Sequence, residues 1–291
     1  MEDRKYYGKN KISFSMVFAY AMLTIWALTT VYPIFWVVMN SFKDKKQIIS
    51  NSFKLPLGEL FTLDNYKLAF DKVDIMGAYR NSLIISITVV IFVMLFAGLA
   101  AYALARYQFP GRNLLYSLVI AGMMFPVFST IIPVYRMMNS WGIVNTSSLA
   151  KSLISTALPQ IAGNMSFAIV VLMGYMKSIP LDLEEAAYME GCSIFKVYFK
   201  VVLPLAKPSF ATVAIFTFLW SYNDLFTQMF TLRYKDQWAI TRLLNELTSM
   251  EGTNYGLMAA SVALVVIPVL VVYIFLQKYI IKGVASGAVK G

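Results

Sequence analysis

A chain of 291 residues that is 59% hydrophobic and only 14% charged is too apolar for a soluble domain, in which about a quarter of the residues are charged. The formal net charge of +10 does not indicate nucleic-acid binding, because the basic residues border apolar runs and form no basic stripe. The absence of His and a single cysteine, Cys192, exclude a Cys/His zinc site and an internal disulfide. These properties indicate an integral membrane protein whose basic residues contact anionic lipid headgroups.

The first predicted element is an uncleaved membrane span over 12–39, which follows a basic N-terminal segment, 1–11. Five further apolar stretches have the length of about 20 residues that a helix needs to cross a bilayer. Six spans place both termini on one side of the membrane. The sequence thus predicts one all-α transmembrane domain over 12–280 and a tail at 281–291. The five further spans are 81–105, 114–135, 152–176, 205–231 and 257–277.

Two polar loops are predicted on the side opposite the termini. Segment 42–77 contains Pro56, Gly58 and alternating charges, so we expect a folded external segment. It would serve either as a contact surface for another protein or as a solvated connector. In segment 232–256 apolar residues recur at helical spacing, which predicts a short amphipathic helix packed on the outer rim.

A charged stretch, 177–204, interrupts the apolar pattern between the fourth and fifth predicted spans, and we call it the knob. Pro180 fits the start of a helix, and the acidic residues that follow suit the positive end of its dipole. Gly191 suits a left-handed stop, and Ser193 can cap a second short helix that runs to about Lys200. The residue types therefore predict a water-exposed helix–turn–helix on one membrane face. The plainer alternative is an amphipathic loop lying on lipid headgroups.

The spacing inside the knob resembles the Glu-Ala-Ala loop of bacterial ABC-importer permeases, with Val201 standing where that family has Ile. Similarity continues outside the knob. There the chain resembles the carbohydrate branch of these permeases and, within it, the MalG-type second permease subunit of maltose and oligosaccharide importers. The matching residues in the knob are Glu185, Ala186, Ala187, Gly191, Leu203 and Pro204. Those outside it are 61–66, 102–106, 109–112, 132–135, 142–146, 220–224 and the tail from Gly283.

The resemblance implies a type I ABC importer permease with six transmembrane helices and a cytoplasmic coupling-helix loop, in the bacterial inner (cytoplasmic) membrane. It implies four kinds of partner: a related second permease, two ATPase subunits, an extracytoplasmic solute-binding protein and a sugar substrate. ATP and Mg are implied on the partner ATPase, so this chain is expected to bind no cofactor and to be no enzyme. The residues implied to couple the ATPase to the spans are Glu184, Glu185, Ala186, Ala187, Gly191, Leu203 and Pro204.

Polar residues inside the spans are the candidates for a substrate pathway. A helix that rises about 1.5 Å per residue places the polar end of the fifth span far from the knob. Such groups should face the bundle interior, because lipid would leave them unpaired. They would form either a hydrogen-bonding wall for sugar hydroxyls or a polar clamp to the partner permease. The candidates are Tyr222, Asn223, Asp224 and Gln228 in the fifth span and Asn164 in the fourth.

The leading hypothesis is a permease subunit of an ATP-driven, binding-protein-dependent sugar importer that works by alternating access. An ion-coupled secondary carrier is disfavoured, because Asp224 is the only acidic residue in the six predicted spans. A glycerol-phosphate-type ABC importer permease and a membrane scaffold without transport activity stay open as alternatives.

Overall fold

The computed structural model describes residues 14–250 and 254–288, and all regular elements in these ranges are helices. The predicted segment 1–11 lies outside the described residues, as do the last residues of the predicted tail 281–291, beyond Ala288. In chain order the helices are α1 (Phe14–Ser41), α2 (Lys45–Ser50), α3 (Asp64–Lys72), α4 (Ile75–Arg106), α5 (Arg112–Gly122), α6 (Val127–Ser140), α7 (Leu149–Lys177), α8 (Asp182–Met189), α9 (Ile194–Val197), α10 (Leu203–Asn223), α11 (Leu225–Thr231), α12 (Ile240–Met250) and α13 (Tyr255–Ala288).

Within residues 14–250 and 254–288, five helical stretches are long and apolar enough to cross a membrane, which confirms the predicted all-α membrane fold. Helices suit this environment because they satisfy their own backbone hydrogen bonds. The stretches correspond to the first, second, fourth, fifth and sixth predicted spans. They are α1, α4, α7, the continuous helix Ile194–Asn223 and the Tyr255–Phe275 part of α13.

The predicted third span, 114–135, is not one continuous helix. The helix α5 has 11 residues and α6 has 14, so neither reaches the length of a crossing by itself. Pro126 stands immediately before α6 and explains the break, because proline lacks an N–H donor and disfavours a helical conformation at the preceding Phe125. Two short helices therefore occupy the place of the third span.

The predicted fifth span, 205–231, is also interrupted. The helix α10 ends at Asn223, and Asp224, with φ −75° and ψ 86°, stands at the start of α11. The Asp224 carboxylate oxygen Oδ1 accepts the backbone N–H of Thr227 at 3.0 Å and so caps the new helix. A carboxylate is thereby placed at a helix start instead of midway along a membrane helix.

The structure divides into two compact units, and the described part of the first is 14–69 with 254–263. Within it, the predicted external segment is folded around Asn65, whose amide donates to the carbonyls of Ser41 at 2.9 Å and Lys43 at 2.8 Å. The backbone of Gly256 lies against the same place. A Cβ there would stand 2.6 Å from the carbonyl oxygen of Lys43, so only glycine fits.

Lys43 is a buried cation in this first unit, with a relative exposure of 1%. Its ammonium donates to Asn40 Oδ1 at 3.2 Å and to the carbonyl oxygens of Ser52 at 3.1 Å and Asn51 at 3.4 Å. All three acceptors are uncharged, and burial lowers the pKa of Lys43.

The described part of the second unit is 70–250 with 264–288, and its centre is the packing of α4 against α7, with α10 against both. Small side chains on α4 permit this close approach. A Cβ on Gly98 would lie 2.5 Å from the Tyr198 hydroxyl oxygen and 2.8 Å from the Phe210 ring. The neighbouring Ala97 and Ala101 are fully buried. This tight packing fixes α4, α7 and α10 relative to one another. The knob connects the end of α7 to the start of α10.

The predicted amphipathic helix in 232–256 is confirmed as α12, whose apolar side is buried within the second unit. The segment before it is fastened to α4, because the Asn81 amide donates to the carbonyls of Asp236 at 3.1 Å and Trp238 at 3.2 Å. The buried side of α12 comprises Ile240, Leu243, Leu244 and Leu247.

Candidate coupling knob and substrate cavity

The knob folds as two short helices around a glycine turn, as its residue types predict. The helix α8 begins at Asp182, with acidic residues throughout its first turn. Gly191 has φ +76°, a left-handed conformation that side chains with a Cβ rarely adopt. Ser193 occupies the predicted cap position of α9, but its side chain makes no capping hydrogen bond. The helix α9 then passes through a π-helical turn, Tyr198–Val202, into α10.

One side of the knob is fixed to the end of α4 by a buried ion pair. Glu184 Oε1 accepts Arg106 Nε at 2.6 Å, and Glu184 Oε2 accepts the Tyr102 hydroxyl at 2.9 Å. The two charged side chains are only 7% and 4% exposed. Arg106 also donates to the carbonyl oxygen of Ile179 at 2.9 Å. We call Tyr102, Arg106 and Glu184 the anchor cluster, because it ties α8 and the end of α7 to α4.

A second contact supports the anchor cluster at the surface of the knob. The hydroxyls of Tyr107 and Tyr188 are 2.9 Å apart, joining the residue after α4 to α8. Burial raises the pKa of Tyr107, and its hydrogen bond to Tyr188 raises the pKa further. The Tyr107 hydroxyl therefore stays protonated and able to donate.

Outside the anchor cluster, the knob exposes several large apolar side chains. Met189 is 88% exposed and Phe195 is 67% exposed, although each lies among charged residues. Exposed apolar patches bordered by polar residues are typical of protein contact surfaces. We call this surface the knob face. Its large apolar members are Leu181, Leu183, Met189, Ile194, Phe195 and Phe199.

A cavity of about 500 Å³ is bounded by three parts of the second unit. These are the α5–α6 region, the middle of α7 and the junction of α10 with α11. The cavity walls are mostly apolar and include four aromatic side chains, and several of the polar groups are joined by hydrogen bonds. Ser221 Oγ donates to Gln160 Oε1 at 2.6 Å, and Gln160 Nε2 donates to Asp224 Oδ2 at 2.8 Å. The Asn164 amide nitrogen donates to the Gln160 carbonyl at 2.7 Å. The aromatic lining residues are Phe125, Phe128, Trp220 and Phe226.

The chain matches the family model described as "Binding-protein-dependent transport system inner membrane component" over residues 94–286, which include the knob and the cavity. It belongs to this permease family. The chain is therefore a transport component of the bacterial inner membrane.

Two relatives and one solved structure are similar to the permease over almost its whole length. The diacetylchitobiose uptake system permease protein NgcG of Streptomyces coelicolor is 34% identical, over 92% of this chain and 87% of that protein. The multiple sugar-binding transport system permease protein MsmG of Streptococcus mutans is 33% identical, over 93% and 96%. A crystal structure of a bacterial ABC transporter involved in the import of the acidic polysaccharide alginate is 25% identical, with a TM-score of 0.76, over 94% and 99%.

In the permease, the predicted coupling residues divide between two sides of the knob. Glu184 is buried in the anchor cluster, whereas Glu185, Ala186 and Gly191 are exposed. Ala187 is half-buried on α8. At the base of α10, Leu203 is half-buried and Pro204 is exposed. The sequence could not show that Glu184 faces inward, because its partner Arg106 lies 78 residues away.

The predicted pathway residues of the permease do not form one cluster. Asp224 and Asn164 line the cavity. Gln228 is buried elsewhere and accepts the Thr241 hydroxyl at 2.6 Å. Tyr222 is buried away from the cavity lining, and Asn223 is exposed and donates to its own helix at Leu219.

Sequence reasoning missed Gln160, which organises the polar groups of the cavity. The available signal was its spacing, because Gln160 stands four residues before Asn164 and hence on the same side of α7. No group of three or more His, Cys, Asp or Glu side chains that could hold a metal ion occurs within the described residues.

Proposed function

We propose that this permease is one of two permease subunits of an ATP-driven importer of carbohydrates, working by alternating access. The observation that carries the proposal is the two-sided knob, which is bonded internally through Glu184 and presents an apolar face externally. The names of NgcG and MsmG support a saccharide as substrate.

The knob face provides the surface for a partner ATPase. Glu185, Ala186, Ala187 and Gly191 lie beside the exposed apolar residues in the sequence, and the small side chains of the two alanines and the glycine allow a close approach by the partner. The knob lies in a groove on the ATPase. When ATP binding closes the ATPase dimer, the knob moves with this groove, and the anchor cluster transmits the movement to α4. Leu203 and Pro204 join the same movement to α10.

We assign the remaining partners from membership of the permease family. ATP and Mg belong to the ATPase subunits, so hydrolysis is carried out there and not on this chain. A related second permease completes the pathway, and an extracytoplasmic solute-binding protein delivers the sugar. The folded segment around Asn65 offers that protein a defined surface.

The substrate path includes the cavity, through Asp224 and Asn164. Tyr222 and Gln228 act as packing and clamping residues within the bundle, because both are nearly fully buried outside the cavity lining. The exposed Asn223 faces a neighbour of the permease, either lipid or the second permease subunit.

Co-purification of the intact importer tests the coupling role of the knob. The variant Phe195→Glu places a charge in the knob face, and Phe53→Glu is its matched control in the external segment. The two phenylalanines are similarly exposed, at 67% and 72%. We expect Phe195→Glu to lower ATPase association at least about tenfold, as for a central interface residue, and Phe53→Glu to leave it unchanged. Full ATPase association and uptake in Phe195→Glu would contradict the proposal.

A further inference from the structure

We propose that the cavity binds one uncharged sugar residue of the transported carbohydrate directly on this chain, and that it rejects sugars that carry a carboxylate. The inference rests on the proposed function of carbohydrate import. It adds a substrate contact on this subunit and a charge preference at that contact.

The shape and lining of the cavity suit a sugar ring. Its volume of about 500 Å³ lies within the range of about 300–1,000 Å³ typical of small-molecule sites, which combine apolar walls with a few placed polar groups. Trp220 is 48% exposed and borders the cavity beside Phe128 and Phe226. Aromatic faces of this kind pack against the C–H face of a sugar ring, while the polar groups contact its hydroxyls.

An unpartnered acceptor on Asn164 points to a missing ligand. Asn164 is 7% exposed, and its Oδ1 has no hydrogen-bond partner among the described residues. The orientation of the amide is fixed, because its nitrogen donates to the Gln160 carbonyl. A buried acceptor left unpaired is unfavourable. The oxygen is covered by neighbouring atoms, so a sugar hydroxyl in the cavity donates to it only where those atoms move aside.

Gln160 orients the carboxylate of Asp224. Both ends of its side-chain amide are already engaged, by Ser221 and by Asp224. Each oxygen of the Asp224 carboxylate accepts one hydrogen bond from the chain, from Thr227 and from Gln160. A carboxylate has about four acceptor positions, so Asp224 retains capacity for sugar hydroxyls.

The charge of the cavity sets its selectivity. Asp224 is the only ionisable side chain that lines it, and neither Lys nor Arg is among the lining residues that the structure describes. A uronate bound here would place a second carboxylate near Asp224 without a compensating cation, and like charges at short distance repel. Neutral hydroxyls meet no such repulsion.

The first experiment identifies what the complete importer transports. The permease, its second subunit, the ATPase and the binding protein are reconstituted in vesicles. Uptake is measured with labelled maltotriose, diacetylchitobiose, arabinotriose and trigalacturonate. We expect uptake of at least one uncharged probe. Uptake of trigalacturonate alone would overturn the charge preference but not carbohydrate import, whereas uptake of none of the four would count against the proposed function itself.

The second experiment locates the sugar. In a Cys192→Ser background, Gly163→Cys places a thiol in the cavity lining, and Gly174→Cys is the control on the same helix. A Cβ at either glycine meets nothing within 4 Å, so both variants should fold. We expect maleimide to label Gly163→Cys, and the transported uncharged sugar to protect that thiol at least fivefold without protecting Gly174→Cys. No labelling at position 163, or labelling without protection, would overturn the site while leaving the importer intact.

The third experiment tests the role of Asp224 in selectivity. Asp224→Asn removes the charge but retains an acceptor for the Thr227 N–H, so the start of α11 is preserved. We expect trigalacturonate to compete with uncharged sugar at least about tenfold better in this variant, because like-charge repulsion is removed. Unchanged competition, with wild-type uptake of the uncharged sugar, would show that Asp224 does not set the charge preference.

Discussion

The anchor cluster and the polar group of the cavity are both buried in the second unit, yet they differ in how completely they are bonded. Both carboxylate oxygens of Glu184 are taken by Arg106 and Tyr102. In the cavity, Asn164 keeps an acceptor without a partner. Buried polar groups in folded proteins are nearly always bonded. A fully bonded cluster therefore indicates a fixed joint, whereas we assign the unpaired acceptor of the cavity to a ligand.

The largest expected effect comes from breaking the anchor cluster with Glu184→Ala. The change leaves Arg106 buried without its carboxylate, and removing one partner of a buried ion pair typically costs about 3–5 kcal/mol. We expect a pronounced loss of thermal stability of the purified permease and loss of coupled uptake. Glu185→Ala is the control, since Glu185 is exposed and its removal should change stability by less than about 0.5 kcal/mol. Equal melting temperatures for the two variants would show that the anchor cluster is not a structural joint.

A smaller effect is expected from Gln160→Leu, which disrupts the cavity. The change removes the partners of Ser221 and Asp224 together, and buried groups left unpaired cost about 1–3 kcal/mol each. Asn164→Leu should cost less, because it removes one hydrogen bond and also an acceptor that was already unpaired. Thermal unfolding of both variants checks this order. A reversed order would mean that Asn164 is bonded in the assembled importer even without sugar.

The smallest effect concerns Lys43, a buried cation that has uncharged acceptors where Arg106 has a carboxylate. Its pKa is lowered, so the folded state loses the proton at a lower pH than the unfolded state, whose pKa is about 10.5. Between these two pKa values the unfolded state binds more protons, and stability rises with pH. At lower pH both states are protonated and this gain is absent.

Limited proteolysis of segment 42–77 at increasing pH measures the effect of Lys43. We expect a modest rise in protection as the pH approaches 10.5 in the wild type and a flatter profile in Lys43→Met, which has no titratable group at this position. A wild-type profile identical to that of Lys43→Met would contradict the role of Lys43 in the pH dependence.

Hydropathy was sufficient to predict the membrane fold, since lipid leaves few alternatives to apolar helices. It did not reveal the break at Pro126, because the residues before and after Pro126 are both apolar and therefore predict one continuous span. The glycine turn of the knob was predictable from local chemistry, as Gly191 shows. Contacts between distant parts of the chain, such as Arg106 with Glu184 and Gln160 with Asp224, leave no local signal. For this reason the direction in which Glu184 points and the bonding of the cavity required the structure.

The π-helical turn Tyr198–Val202 has a consequence for transmission over distance. Because α9, this turn and α10 follow one another without a gap, Ile194–Asn223 forms a single rod of 30 residues, about 45 Å long at about 1.5 Å per residue. One end carries Phe195 of the knob face, and the other carries Trp220 and Ser221 of the cavity wall. The rod therefore links the knob face to the cavity wall along a single helix, and the π-helical turn and Pro208 are the two places where it can bend.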